Sequence, residues 1–163
     1  MPPTQDVFAQ LVQAHRDIEA RVAELERACD DTSDDARRGS AVETIANLLA
    51  YFEGPAALHH ADEEQTLFPR LRPLDGFAQM LGAFDFQHQM NDAAFAELQR
   101  AFRALGSVGP GDSTKLRGVG HRFAELQRAH IMAEERALFP LAARTLSPEI
   151  LVRVGDEMAA RRR

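Results

Sequence analysis

Only one cysteine, Cys29, occurs in the 163 residues, so no internal disulfide can form and nothing points to an oxidising compartment. No window approaches the ~18 apolar residues of a membrane-spanning helix, and the opening MPPTQDVFAQ lacks a basic region followed by an apolar run. The expectation is a cytoplasmic protein without membrane contact. Positive charge is scarce as well. Against 25 acidic residues stand 19 basic ones, for a formal charge of -6, and the one basic cluster is Arg161-Arg162-Arg163. That balance argues against a nucleic-acid partner, and the terminal arginines read as a solvated helix end. Strand-like alternation of apolar and polar residues is missing throughout.

Helical periodicity is present instead. From Thr4 to about Ala28, Phe8, Leu11, Val12, Ile18, Val22 and Leu25 recur at three- and four-residue steps, which puts them on one helical face. The polar run DDTSDD at 30–35 leads to a second helix, which Ser33 or Asp34 can cap and which continues through Ile45, Leu48, Leu49, Phe52 and Leu58 to about Leu71. Gly54-Pro55 lies inside it and predicts a kink one turn before His59, because proline removes a donor and crowds the preceding turn. A third helix runs from about Phe77 to Leu105, and GSVGPGDS at 106–113 breaks the chain. A fourth extends from about Thr114 to Ala143 and passes Pro140; a short fifth begins at Ser147-Pro148, serine as cap and proline in the first turn. The expected fold is all-α: an antiparallel four-helix bundle with a short fifth C-terminal helix. It forms one domain over residues 1–163, with the bundle core at about 4–143 and the last helix at about 148–163.

Against this background HHADEEQTLFP at 59–69 stands out, because AHIMAEERALFP at 129–140 repeats its pattern. With an offset of 71, His59 falls on His130, Glu63 on Glu134, Glu64 on Glu135, and Leu67-Phe68-Pro69 on Leu138-Phe139-Pro140; Phe52 falls on Phe123. A histidine and a glutamate four residues apart in a helix share a face, about 40° apart in rotation, so both can reach one ion. The first and third helices add one histidine each to their apolar stripes, His15 and His88, which an offset of 73 superposes. Two half-molecules related by an approximate twofold axis would bring four imidazoles and two carboxylates to the bundle centre. Two metal ions fit this set, two imidazoles on each, with Glu63 and Glu134 bridging. Imidazole with carboxylate suits iron, manganese or zinc, and no thiolate favours copper(I) or an iron–sulfur cluster. An unpaired carboxylate facing a core needs a cation.

Other polar residues are secondary candidates. His60 has the same spacing to Glu64 on a stripe about 100° away, but it aligns with Ile131 and is read as surface or as lying behind the ligands. Asp92 and Glu19 each follow a candidate histidine by four residues and can complete a coordination shell. Glu64 and Glu135 read as solvated or as hydrogen-bonded to a neighbouring helix. His121 falls on the far face of the fourth helix. Tyr51 either reaches the centre or packs, while Phe52 and Phe123 read as walls that keep out water.

The doubled His, then H-x-x-x-E-E with Leu-Phe-Pro, resembles the hemerythrin-like family, or HHE cation-binding domain, across residues 15–140. The resemblance implies a four-helix bundle around two non-haem iron ions, oxo- or hydroxo-bridged, with His15, His59, Glu63, His88, His130 and Glu134 as ligands and Asp92 and His60 as possible additions. It implies a small diatomic or peroxide ligand, with catalase- or peroxidase-like consumption of peroxide as the redox reaction. Iron storage, donation or sensing without turnover is the alternative. Oxygen-carrying members have a second histidine one turn after the third helix's first; here that position is Asp92, which weakens the carrier reading. Ferritin-like sites use E-x-x-H, which does not occur.

Overall fold

Asp6 opens the first helix, α1 (Val7–Asp31), its carboxylate accepting from the backbone N–H groups of Phe8 and Ala9. The computed structural model describes residues 6–105 and 111–163, so the expected start at Thr4 lies outside the described residues. Along α1 the buried positions Leu11, His15, Ile18, Val22 and Leu25 keep the spacing of one face. Helix α2 spans residues 38–71. Neither Ser33 nor Asp34 caps it: Arg37 holds the cap position without a side-chain bond, and the Asp34 carboxylate instead accepts from the N–H groups of Ala36 and Arg37 within the turn. Gly76, at φ 84°, supplies the left-handed residue before α3 (Phe77–Ala104). Helix α4 spans residues 111–145 and starts three residues before the expected Thr114; residues 106–110 of the expected break lie outside the described residues. Ser147 caps α5 (Pro148–Ala160) by accepting from Ile150 N–H. No strand occurs among the described residues.

Two helices contain wider turns that periodicity does not announce. In α2, residues Phe52–Ala56 and Glu63–Leu67 are π-helical, and in α4 so are Glu134–Leu138. Phe68 N–H reaches the Glu63 carbonyl and Phe139 N–H the Glu134 carbonyl, both five residues back. The physical cause lies in Pro69 and Pro140, which have no N–H and whose rings would strike the carbonyl four residues earlier; opening the turn by one residue relieves that clash. Around Gly54-Pro55 the same widening carries the helix through the expected kink.

α1 packs on α2 and α4, α3 packs on α4, and α5 lies across α1 and the second π turn of α2. Two apolar clusters result. One contains Ile18, Val22, Leu25, Ile45, Phe52, Leu98 and Phe123; the other contains Leu11, Leu67, Phe68, Leu81, Phe84, Leu138 and Phe139. Between them, one level of the bundle is polar. Cys29 is buried where α1 meets α4, and a Cβ on Gly120 would come within 2.7 Å of its Sγ, so glycine there permits the close approach. Burial pushes the Cys29 thiol up to about 12, leaving it unreactive.

Candidate metal centre

The polar level consists of His15, His59, Glu63, His88, His130 and Glu134, none more than 2% exposed. Four helices contribute: the apolar stripes of α1 and α3 carry one of these residues each and those of α2 and α4 two, where leucine or phenylalanine would otherwise continue them. His15 Nε2 lies 3.2 Å from Glu134 Oε2 and 3.8 Å from Glu63 Oε1; His59 Nε2 lies 3.2 Å from Glu63 Oε1. On the other side His88 Nε2 is 3.5 Å from Glu63 Oε2, His130 Nε2 is 3.4 Å from Glu134 Oε2, and the two Nε2 atoms are 2.9 Å apart. Two overlapping donor sets follow: His15, His59, Glu63 and Glu134, and then Glu63, His88, His130 and Glu134, each with its donor atoms within 4.8 Å of one another. Both carboxylates belong to both sets.

These separations suit cations. Donors 3 to 4 Å apart can converge on one ion at donor–metal distances of about 2.1 Å. Both oxygens of Glu63 and of Glu134, both nitrogens of His59, and His15 Nε2 are buried without a hydrogen-bond partner among the described residues. Buried polar atoms are otherwise almost always paired, so the orphaned carboxylate oxygens with His15 Nε2 and His59 Nε2 fit a cation pair that they would ligate.

Electrostatics in the metal-free protein divides the site. Burial raises the Glu134 carboxyl, and the negative charge of Glu63 adds to it, to about 8. Burial pulls Glu63 the same way, but the imidazoles of His59, His15 and His88 outweigh it and hold it well below the usual carboxylate range. Burial also depresses His15 and His88, yet the facing carboxylates overcome it and raise them to about 10 and about 9. At His130 burial outweighs the pull of the Glu63 carboxylate, and the neighbouring imidazoles add to it, taking the ring down to about 3.

An outer layer fixes the rings. His88 Nδ1 donates to Glu64 Oε1 at 2.6 Å, and His15 Nδ1 donates to Glu135 Oε1 at 2.9 Å. Phe68 stacks on His88 at 5.7 Å and 12°, and Phe139 stacks on His15 at 5.3 Å and 12°. Each half of the chain thus supplies the glutamate and phenylalanine that hold the other half's lone histidine, which explains why E-E and Leu-Phe-Pro recur together. Such carboxylate–imidazole pairs leave Nε2 aimed at the metal. The symmetry does not extend to the ring of His130: its Nδ1 donates to Gln87 Oε1 at 3.0 Å, whereas the residue matching Gln87 in the first half is Ala14, and His59 Nδ1 has no partner among the described residues. Gln87 carries no periodic signal, being simply the neighbour of His88.

Several sequence expectations change. His60 is mostly buried rather than on the surface, stacks on His88 at 4.7 Å, and shares a third donor set with His88 and His130. Asp92 is exposed and belongs to none of the donor sets. Glu19 pairs with Arg16. His121 meets Asp30 and Glu26 near the surface, and Tyr51 packs edge-on to Phe52 with Arg21 over its ring. Phe52 and Phe123 meet across the twofold at 4.9 Å. The terminal arginines are not a free helix end: Arg161 and Arg162 both pair with the buried Asp62, beside Glu63. Their partner lies about a hundred residues earlier, so only tertiary structure could reveal it.

No helix of the described residues is long and apolar enough to cross a membrane. A model of the hemerythrin HHE cation binding domain matches residues 6–142. An uncharacterized protein of Haemophilus influenzae is 32% identical over 119 residues, covering 72% of this chain and 67% of its own length.

Proposed function

The chain belongs to the hemerythrin HHE cation-binding family, and from that premise we propose that its centre holds two iron ions and reacts with a small ligand: dioxygen, nitric oxide or, first among them, peroxide. The observation that carries this reading is the pair of fully buried carboxylates, each shared between two imidazole pairs and lacking hydrogen-bond partners. In this reading His15 and His59 would hold one ion and His88 and His130 the other, with Glu63 and Glu134 belonging to both donor sets. Bound iron would supply redox equivalents and Lewis-acidic positions for the ligand. The protein's own part is geometric and dielectric. Glu64, Glu135 and Gln87 orient three of the rings, Phe68 and Phe139 clamp two, and the apolar clusters on either side exclude bulk water. Burial of all six side chains argues against rapid donation of the metal.

Metal analysis and an optical spectrum of the protein purified in air test the proposal. About two irons per chain, with near-ultraviolet charge-transfer bands that change on adding peroxide or nitric oxide, are the expected result. Zinc alone after iron-replete expression would overturn the redox reading.

A further inference from the structure

One helical turn from the metal level, between α2, α3 and α4, the core is polar where its twin is not. Asn91, three residues after His88, is 2% exposed, and Gln127, three residues before His130, is 4% exposed. With the mostly buried His60 they line a cleft of about 150 Å³, walled by Phe52, Phe95 and Phe123. Among the described residues neither amide atom of Asn91 has a hydrogen-bond partner, and His60 Nε2 has none either. A buried carboxamide with both its donor and its acceptor unpaired is costly, and such groups are uncommon in folded cores.

Packing does not demand these amides. The repeat offsets match Asn91 to Ile18, His60 to Ile131 and Gln127 to Ala56, and all three counterparts belong to the apolar cluster. The same bundle position is therefore filled by hydrocarbon on one side and by hydrogen-bonding groups on the other. A local rule of core composition broken on one side only marks a place where something other than stability is served.

We infer that this cleft is a binding site for hydrogen peroxide, held by the Asn91 carboxamide with His60 and Gln127. The inference rests on the reading of a centre that reacts with a small ligand and deepens it by naming the residues that choose among the three ligands considered. Dioxygen and nitric oxide carry no hydrogen and cannot donate to the Asn91 carbonyl. Peroxide donates and accepts, so it pairs with both ends of the carboxamide at once. A site built to hydrogen-bond one ligand rejects those that leave its polar atoms unpaired. The cleft's exposed lining residues Glu53 and Asp92 are both carboxylates, which favours a neutral ligand over an anion. The site also adjoins the metal level, because the His60 ring stacks on His88 at 4.7 Å and meets His130 edge-on at 5.9 Å.

Hydrogen peroxide titrated into the zinc-loaded full chain, which has no redox-active metal to consume it, tests the site by nuclear magnetic resonance. In wild type the side-chain amide resonances of Asn91 and Gln127 should shift and saturate; in Asn91→Ile, the change that copies the other half, the Gln127 shift should be lost. With iron bound, Asn91→Ile should raise KM for peroxide by about tenfold or more, while kcat and the affinity for nitric oxide hold. Silent amide resonances in wild type, or a Gln127 shift and a KM that survive in Asn91→Ile, would overturn the inference and leave the cleft to water. An iron-loaded wild type that does not consume peroxide would instead sink the redox reading, since the zinc titration judges the cleft by itself. Should Asn91→Ile not fold, Asn91→Ala carries the same comparison.

Discussion

Glu64 and Glu135 touch no metal position, yet each fixes the ring of a proposed ligand from the opposite half. Glu135→Ala should therefore lower metal affinity by about 10- to 100-fold, the usual effect of losing an outer hydrogen bond to a ligand. A competitive chelator titration measures it, with His121→Ala as the contrast. His121 pairs with Glu26 and Asp30 at the surface, so that change should leave metal content intact and move stability by no more than about 0.5 kcal/mol. A loss of metal on changing His121 would mean that α4 is rotated from the phase described. The pH dependence of metal uptake follows from the same residues. At pH 7 the metal-free centre keeps protons on His15, His88 and Glu134, whose values are raised to about 10, about 9 and about 8. Ligation requires each to lose its proton, so uptake releases up to about three, and affinity should rise as pH climbs from 7 through this range and fall as pH drops. Titration calorimetry in buffers of different ionisation enthalpy counts the protons. The six central residues were legible because the repeat aligns them twice. The same alignment gave His60 no counterpart, since it matches Ile131, and so could not foretell that its ring lies against His88 and His130.

Wider turns are the feature of the helices that the sequence concealed. In an α-helix a step of five residues turns about 140° past the starting direction, which would carry Phe68 well off the face of Glu63. The π turn winds less, and Phe68 comes to lie flat on His88 while Glu64 reaches its Nδ1. Periodicity of apolar residues registers helix but is blind to one carbonyl skipping a partner, so the prolines of Leu-Phe-Pro could be read as punctuation only. Pro69→Ala removes the steric reason for the wide turn. It should leave helix content and the stability of the metal-free protein unchanged or higher, while metal affinity falls about tenfold as the outer support of His88 shifts. Circular dichroism with a metal titration separates the two effects; unchanged affinity would show that the turn is held open by something other than the proline.

At the scale of the molecule, helix number and order were legible from three- and four-residue spacing, but the docking of α5 was not, because it depends on one buried charge. Asp62 is fully buried and both of its partners, Arg161 and Arg162, come from the chain's last three residues. Arg161→Ala with Arg162→Ala should destabilise the protein by about 2–4 kcal/mol, the range for stranding a buried carboxylate, reduced because Arg162 is half-exposed. Thermal unfolding of the double variant checks this; a melting temperature like wild type would mean that Asp62 finds water instead. The matching residue in the second half is Ala133, so α5 attaches to one side of a nearly symmetric bundle. The crossed supports of His15 and His88 reach further than stability. Neither half holds a finished cup for a cation, because each lends its carboxylate and its aromatic clamp to the other. Cut between α2 and α3, the chain would become two pieces with complementary deficits, and a cation would act as their adhesive. A duplicated ancestor of half this length would have needed to meet its own twin before it could hold anything at all.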